Sequence, residues 1–303
     1  MALGARNVAW HDALAWHTGE KSDKALDEAY ACFNADGTLR ADGGGRGIFW
    51  HIKRHAYDPG AAHGKSHLSV LAAVARDPDY AYLNYEVYDA PFWRLISPPG
   101  PTEVALEAVI SAVPNRHGLF RVSGTESNRD VTVGNEYLKD KRPIRYAVGD
   151  SYEKPIRDIA AWGDFDGLTL LAALSREAYG QGEFEHLEFL RIQFEFCLCT
   201  VAYQYGLGND LEILIQWLAH YRLFANRWEG IPDAQSRQQA LACLNAQRVA
   251  QGLRPCKLSD FWVEALAIRS HNPGPTMRYP ITPLTPELKR LIELRYRPAA
   301  PRD

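Results

Sequence analysis

No uninterrupted apolar stretch approaches the roughly 20 residues needed to cross a bilayer. The N-terminus, Met1 to Asn7, also lacks an apolar leader-like run, and together these absences predict a cytoplasmic chain with no membrane partner. A dominant charge is missing too. The 34 Lys and Arg stand against 37 Asp and Glu for a net charge of −3, so no global field exists to hold a polyphosphate. The longest basic cluster, Lys139, Lys141, Arg142 and Arg145, is broken by Asp140 and Pro143 and has no interleaved stacking aromatics, which argues against a nucleic-acid partner. Cysteine is sparse. Cys32, Cys197, Cys199, Cys243 and Cys256 make an odd set without a C-x-x-C pair, which excludes a zinc ribbon or compact disulfide framework and reads as reduced core thiols.

Catalytic signatures are incomplete as well. There is no G-x-S-x-G elbow, and Gly60 to Ser66 misses the P-loop by one residue, which redirects every backbone N–H that would wrap a phosphate. Three fragments, Arg121 to Glu126, Asp164 to Gly167 and Ser270 to Pro273, resemble the loops of phosphohexomutases, but in reversed order. No circular permutation produces that order, so the fragments read as turns.

What is present is material for a large core: 46% hydrophobic residues, with 8 Trp, 15 Tyr and 11 Phe. The periodicity predicts a mainly α fold, an antiparallel helical array with a small β-hairpin and a loop-rich N-terminal half. The expected organisation is a lobe over 1–145 and a helical lobe over 146–303, forming one integrated body because no polar linker separates them. In the first lobe, loops bracket a short helix near Ile48-Phe49-Trp50, and Thr102 caps a helix ending at Val113. Tyr80 to Tyr88 is ambiguous, with Tyr82, Asn84, Glu86 and Tyr88 alternating only loosely with Leu83, Tyr85 and Val87 in a weak strand pattern. Leu119 to Ser123 and Asp130 to Val133 are the hairpin strands. In the second lobe, helices are expected to Trp162, from Leu168 to Tyr179, over Glu183 to Tyr205, and from Asn209 to Phe224, with Asp164-Phe165-Asp166-Gly167 as a turn. Three more follow, over Ala234 to Gln251, Ser259 to Arg269, and from Thr285.

Two groups of side chains are candidates for function. His51 and His55 are spaced i, i+4, so one helical face can offer both imidazoles to a metal ion, and a metal-dependent hydrolase is the alternative reading, with Asp58 or Glu86 as the further ligand. Ile52 stands where a zincin carries its general base, and Lys53 and Arg54 oppose a cation. The second group is acidic. Asp164, Asp166, Glu183, Glu185 and Glu188 gather around two helix ends and are suited to a basic partner, with Trp162, Phe165, Trp217 and Trp228 as aromatic anchors. The same carboxylates also suit helix N-termini electrostatically.

The stretch Ile159-Ala160-Ala161-Trp162-Gly163-Asp164-Phe165-Asp166-Gly167, followed by Leu170 to Leu174 and a long aromatic helix, resembles helical immunity proteins of bacterial polymorphic-toxin and type VI secretion systems. The resemblance implies a protein without catalytic residues or cofactors that binds a cognate protein toxin, often a nuclease, and blocks it.

Overall fold

The computed structural model describes residues 1–20, 22–40, 47–62, 67–97, 100–102, most of 105–113, 120–123, 130–133, 156–181, 184–224 and scattered residues of 241–255. Contacts divide the chain into Met1–His271 and Asn272–Asp303, and every described residue belongs to the first unit. The described part is mainly α-helical. Among the described residues, no helix is long and apolar enough to cross a membrane.

Helix α1 (Ala2–Thr18) lies at the centre of the N-terminal elements and packs on α3 (Ile48–His55) and on a π-helical turn at Asn84–Tyr88. It is buried over most of its circumference, with Ala5, Val8, Ala9, Trp10, Ala13 and Leu14 out of solvent together with the polar Asn7 and His11. Small alanines let neighbouring elements approach it closely. Helix α2 (Asp23–Tyr30) starts where Ser22 accepts a hydrogen bond from Ala25 N, and packs on α3. Asp27 of α2 is buried and accepts from Phe49 N at 3.1 Å, so its carboxylate occupies the N-terminus of α3. Burial raises its pKa despite those backbone hydrogen bonds.

Helix α4 (Val70–Val74) and the single helical turn α5 (Phe92–Leu95) follow. Two four-residue strands, β1 (Phe120–Ser123) and β2 (Asp130–Val133), pair antiparallel with Phe120 opposite Val133. The segment between them, 124–129, lies outside the described residues. Residues 156–160 are helical and lead into α6 (Phe165–Gln181), α7 (Phe184–Gln204) and α8 (Asn209–Ala219), which continues as a second π turn, His220–Phe224. The expected helices over Ser259 to Arg269 and from Thr285 lie outside the described residues.

Helices α6 and α7 form the most extensive helix pair. Gly167 in the first turn of α6 lies against Cys197, and Gly163 just before it lies against Thr200, so α6 begins beside the C-terminal half of α7 and the two run antiparallel. Leu168, Leu171, Leu190, Phe194, Leu198 and Val201 are buried between these helices and their neighbours, each stabilising the fold by about 2 kcal/mol relative to exposure. An aromatic cluster ties the halves of the chain together: Phe165 lies 5.5 Å from Trp93 and 5.4 Å from Tyr205, and Phe92 lies 6.0 Å from Phe194. Helix α5 packs on α6 and α1 packs on α8, so elements from both expected lobes meet within this unit.

Two expectations are corrected. Asp164 to Gly167 is the start of a helix rather than a free-standing turn: Asp164 Oδ1 accepts from Gly167 N at 2.7 Å, an N-cap bond that opens α6 at Phe165. The N-terminal half, expected to be loop-rich, also contains α1 and α2; α1 is buried on nearly all sides and so shows no apolar stripe, whereas α2 is a short helix buried on one face through Leu26, Asp27 and Tyr30.

Candidate functional site

The acidic group divides between the ends of α6 and α7. Asp164 is half-buried and committed to its capping bond, Asp166 is half-buried in the first turn of α6, and Trp162 packs partly against the core. Glu188 sits near the start of α7, nine residues before the Cys197 that touches Gly167, which is about 14 Å of helix rise. The backbone of Glu185 belongs to α7, and Glu183 lies outside the described residues. Trp228 and the side chain of Trp217 lie outside them as well. The structure thus brings Trp162, Asp164 and Asp166 together at one end of the pair and leaves Glu188 at the other.

Glu188 belongs to a chain of charges along α7. Arg191, whose side chain is 6% exposed, donates from Nε to Glu188 Oε2 at 2.8 Å and from Nη1 to Glu195 Oε1 at 2.5 Å, and His220 Nε2 lies 2.9 Å from the same Glu195 oxygen. The hydrogen bond from Arg191 holds Glu188 below the ordinary carboxylate range. For Glu195, burial pulls the pKa upward, but His220 and Arg191 outweigh it and the result is lowered. A buried guanidinium flanked by two carboxylates fixes the position of the partly exposed Glu188 carboxylate, both of whose oxygens it engages. One turn further along, Ile192 is 49% exposed on the same face as Glu188. Tyr179, 44% exposed, belongs to the end of α6 that adjoins the start of α7. Neither residue was singled out from the sequence. The signal in the sequence is the charged stripe Glu188, Arg191, Glu195 within a largely apolar helix, with Ile192 beside it.

No protein-family model matches the chain, and no curated protein or solved structure matches it either.

His51 and His55 stand exposed on α3, ring centres 5.4 Å apart, with the half-exposed Trp50 indole 4.9 Å from each. The carboxylates expected to join them are engaged elsewhere. Asp58 Oδ1 accepts from the Tyr88 hydroxyl at 2.6 Å and from Gly60 N at 3.0 Å, and Glu86 accepts from the Tyr205 hydroxyl at 3.0 Å. Among the described residues, no three of His, Cys, Asp and Glu converge on one point. His63 lies outside the described residues.

Around α1 the polar side chains are joined to one another. Trp10 Nε1 donates to Asn84 Oδ1 at 2.9 Å, and Asn84 Nδ2 donates to Leu71 O at 3.0 Å. Arg6 donates to the Tyr88 hydroxyl at 2.8 Å while its guanidinium lies 3.9 Å from that ring's centre. Asn7 donates to Ala56 O at 3.0 Å, at the C-terminal end of α3. These bonds hold α1, α3 and the first π turn as one block and present α3 to solvent in a fixed orientation.

Proposed function

We propose that this protein is a toxin-neutralising binding protein of the immunity type, and that it grips a basic protein toxin with the exposed face of α7 around Glu188 and Ile192. The observation that supports this reading is the arrangement of that face. An exposed aliphatic side chain lies one turn from a carboxylate whose direction is set by buried Arg191, with exposed Tyr179 at the adjoining end of α6. An apolar anchor beside an oriented anion is suited to a cationic protein surface. The active sites of nucleases are such surfaces, because they bind phosphates with Lys and Arg.

Asp164, Asp166 and Trp162, at the opposite end of the helix pair, form the proposed second contact. We also assign Glu183 and Glu185, acidic neighbours of Glu188 in sequence, to the partner-binding set. The architecture we infer for this binder is the antiparallel helical array as one integrated body, with β1 and β2 closed as a hairpin. We place it in the cytoplasm.

The test is capture of the partner on full-length tagged protein from its native lysate, followed by assay of the captured protein's hydrolytic activity with and without the binder. A basic hydrolase silenced in a stoichiometric complex, and released about tenfold faster by Ile192→Arg, supports the proposal. Ile192→Arg leaves the melting temperature of the free protein unchanged, because the side chain already faces solvent. A captured protein that remains active in the complex, or no stoichiometric partner, overturns it.

A further inference from the structure

We propose that His51 and His55 of α3 form a two-imidazole site for one borderline-soft divalent cation, Zn²⁺ or Cu²⁺, independent of the toxin-facing surface. The spacing carries the argument. Zinc binds an imidazole nitrogen at about 2.0–2.1 Å, and the ring centre lies about 1.1 Å beyond that nitrogen, so two rings on one tetrahedral ion have centres about 5 Å apart. His51 and His55 stand at 5.4 Å with their planes inclined by 37°. The terminal torsion of a histidine is broad, so rotation of the rings alone can aim both nitrogens at a common ion.

Both imidazoles are exposed, so the remaining coordination positions fall to water. The neighbouring charges are Lys53 and Arg54 on the same helix and Asp23 on α2, which feels the field of both. The two cations oppose a metal, but exposure screens them, and the C-terminal end of α3 favours positive charge. Two nitrogen donors without a carboxylate select Zn²⁺ and Cu²⁺ over Mg²⁺ and Ca²⁺, with Cu²⁺ the tighter. Trp50, 4.9 Å from each ring, supplies a built-in reporter.

The experiment titrates CuCl₂ into chelator-treated full-length protein while tryptophan fluorescence is followed, with ZnCl₂ as competitor. One equivalent of Cu²⁺ is expected to quench a component of the emission that is missing in Trp50→Phe, and Zn²⁺ is expected to restore it. His51→Ala and His55→Ala each weaken binding by about a hundredfold, because the second donor no longer acts intramolecularly. Copper paramagnetic resonance of the wild type supplies a measurement that needs no variant, with two imidazole nitrogens in the spectrum as the expected result. An unchanged midpoint when His51→Ala and His55→Ala are combined overturns the proposal, as does full quenching in Trp50→Phe or a spectrum without two nitrogens.

Discussion

Asp23, at the first position of α2, closes on His11 of α1: Nε2 of His11 stands 3.0 Å from Asp23 Oδ1, while Nδ1 stands 3.0 Å from Asp12 Oδ1. The ring is 1% exposed and faces an acceptor from both nitrogens, so the imidazolium is the form that satisfies both bonds. Asp12 in turn accepts from Gly208 N at 3.3 Å, which extends the link to the start of α8.

The first prediction concerns pH. Burial alone lowers the pKa of His11, but its bonds to Asp12 and Asp23 and their charges outweigh burial, so it is raised above 6.5. Its stabilisation is therefore complete below pH 6.5 and is lost as pH rises through the higher folded value. Asp23 is lowered, first by its bond to His11, so its contribution is present above pH 3.8 and is lost as pH falls through the lower folded value. The stability difference between wild type and His11→Gln should be largest between pH 3.8 and 6.5 and shrink on either side, as read by urea unfolding across pH. Parallel pH profiles for the two proteins would refute the clamp.

Trp10→Phe tests the bond between α1 and the first π turn. It keeps most of the stack on Phe49, 6.1 Å away, but leaves the buried Asn84 Oδ1 without its donor. A cost of about 2 kcal/mol is expected, as a lower urea midpoint at constant slope. A midpoint equal to wild type would mean that the bond contributes nothing net.

Gly163 occupies φ +67, and a Cβ there would overlap Thr200 Cγ2. Gly163→Ala should destabilise by about 3 kcal/mol through left-handed strain and overpacking combined. Thr200→Ser removes the overlapping methyl and keeps the hydroxyl that donates to Phe196 O at 3.1 Å, so it should recover part of that loss. Strict additivity in the double-mutant cycle would show that the contact is not the cause.

Thiol chemistry gives the fourth prediction. Burial drives Cys197 well above the ordinary thiol range, and burial with the nearby Glu212 carboxylate pushes Cys199 up to about 12. Iodoacetamide at mildly alkaline pH should therefore spare both in the folded protein and alkylate both in urea, as mapped by mass spectrometry. Modification of Cys197 at the rate of a small thiol would contradict its burial.

The helices over Phe165–Gln181, Phe184–Gln204 and Asn209–Ala219 were legible because their apolar residues and capping signals agree. Helix α1 was not, since buried Asn7 and His11 interrupt the apolar pattern and their partners, Ala56 and Asp23, lie elsewhere in the chain. The weak strand pattern of Tyr80 to Tyr88 is corrected to a π turn, for a geometric reason. Asp89 N bonds Asn84 O at 2.8 Å, an i+5 turn whose spacing matches neither 3.6 nor 2. For the candidate site, the acidic residues were visible as a cluster in sequence, but the 17-residue length of α6 puts Asp164 and Asp166 at one end of the helix pair and Glu188 at the other. The exposed Ile192 was hidden among core residues of identical type.

The wide turn at Asn84–Tyr88 has a further consequence for the history of this chain. Its extra residue lets Asn84 meet Trp10 while Tyr88 meets Arg6 and Asp58. Removing one residue would rotate everything after it by about 100° and tear one set of partners from the other. Substitution at the exposed Tyr85 leaves both sets in place. Over this segment, drift in sequence is tolerable where a single-codon deletion is not.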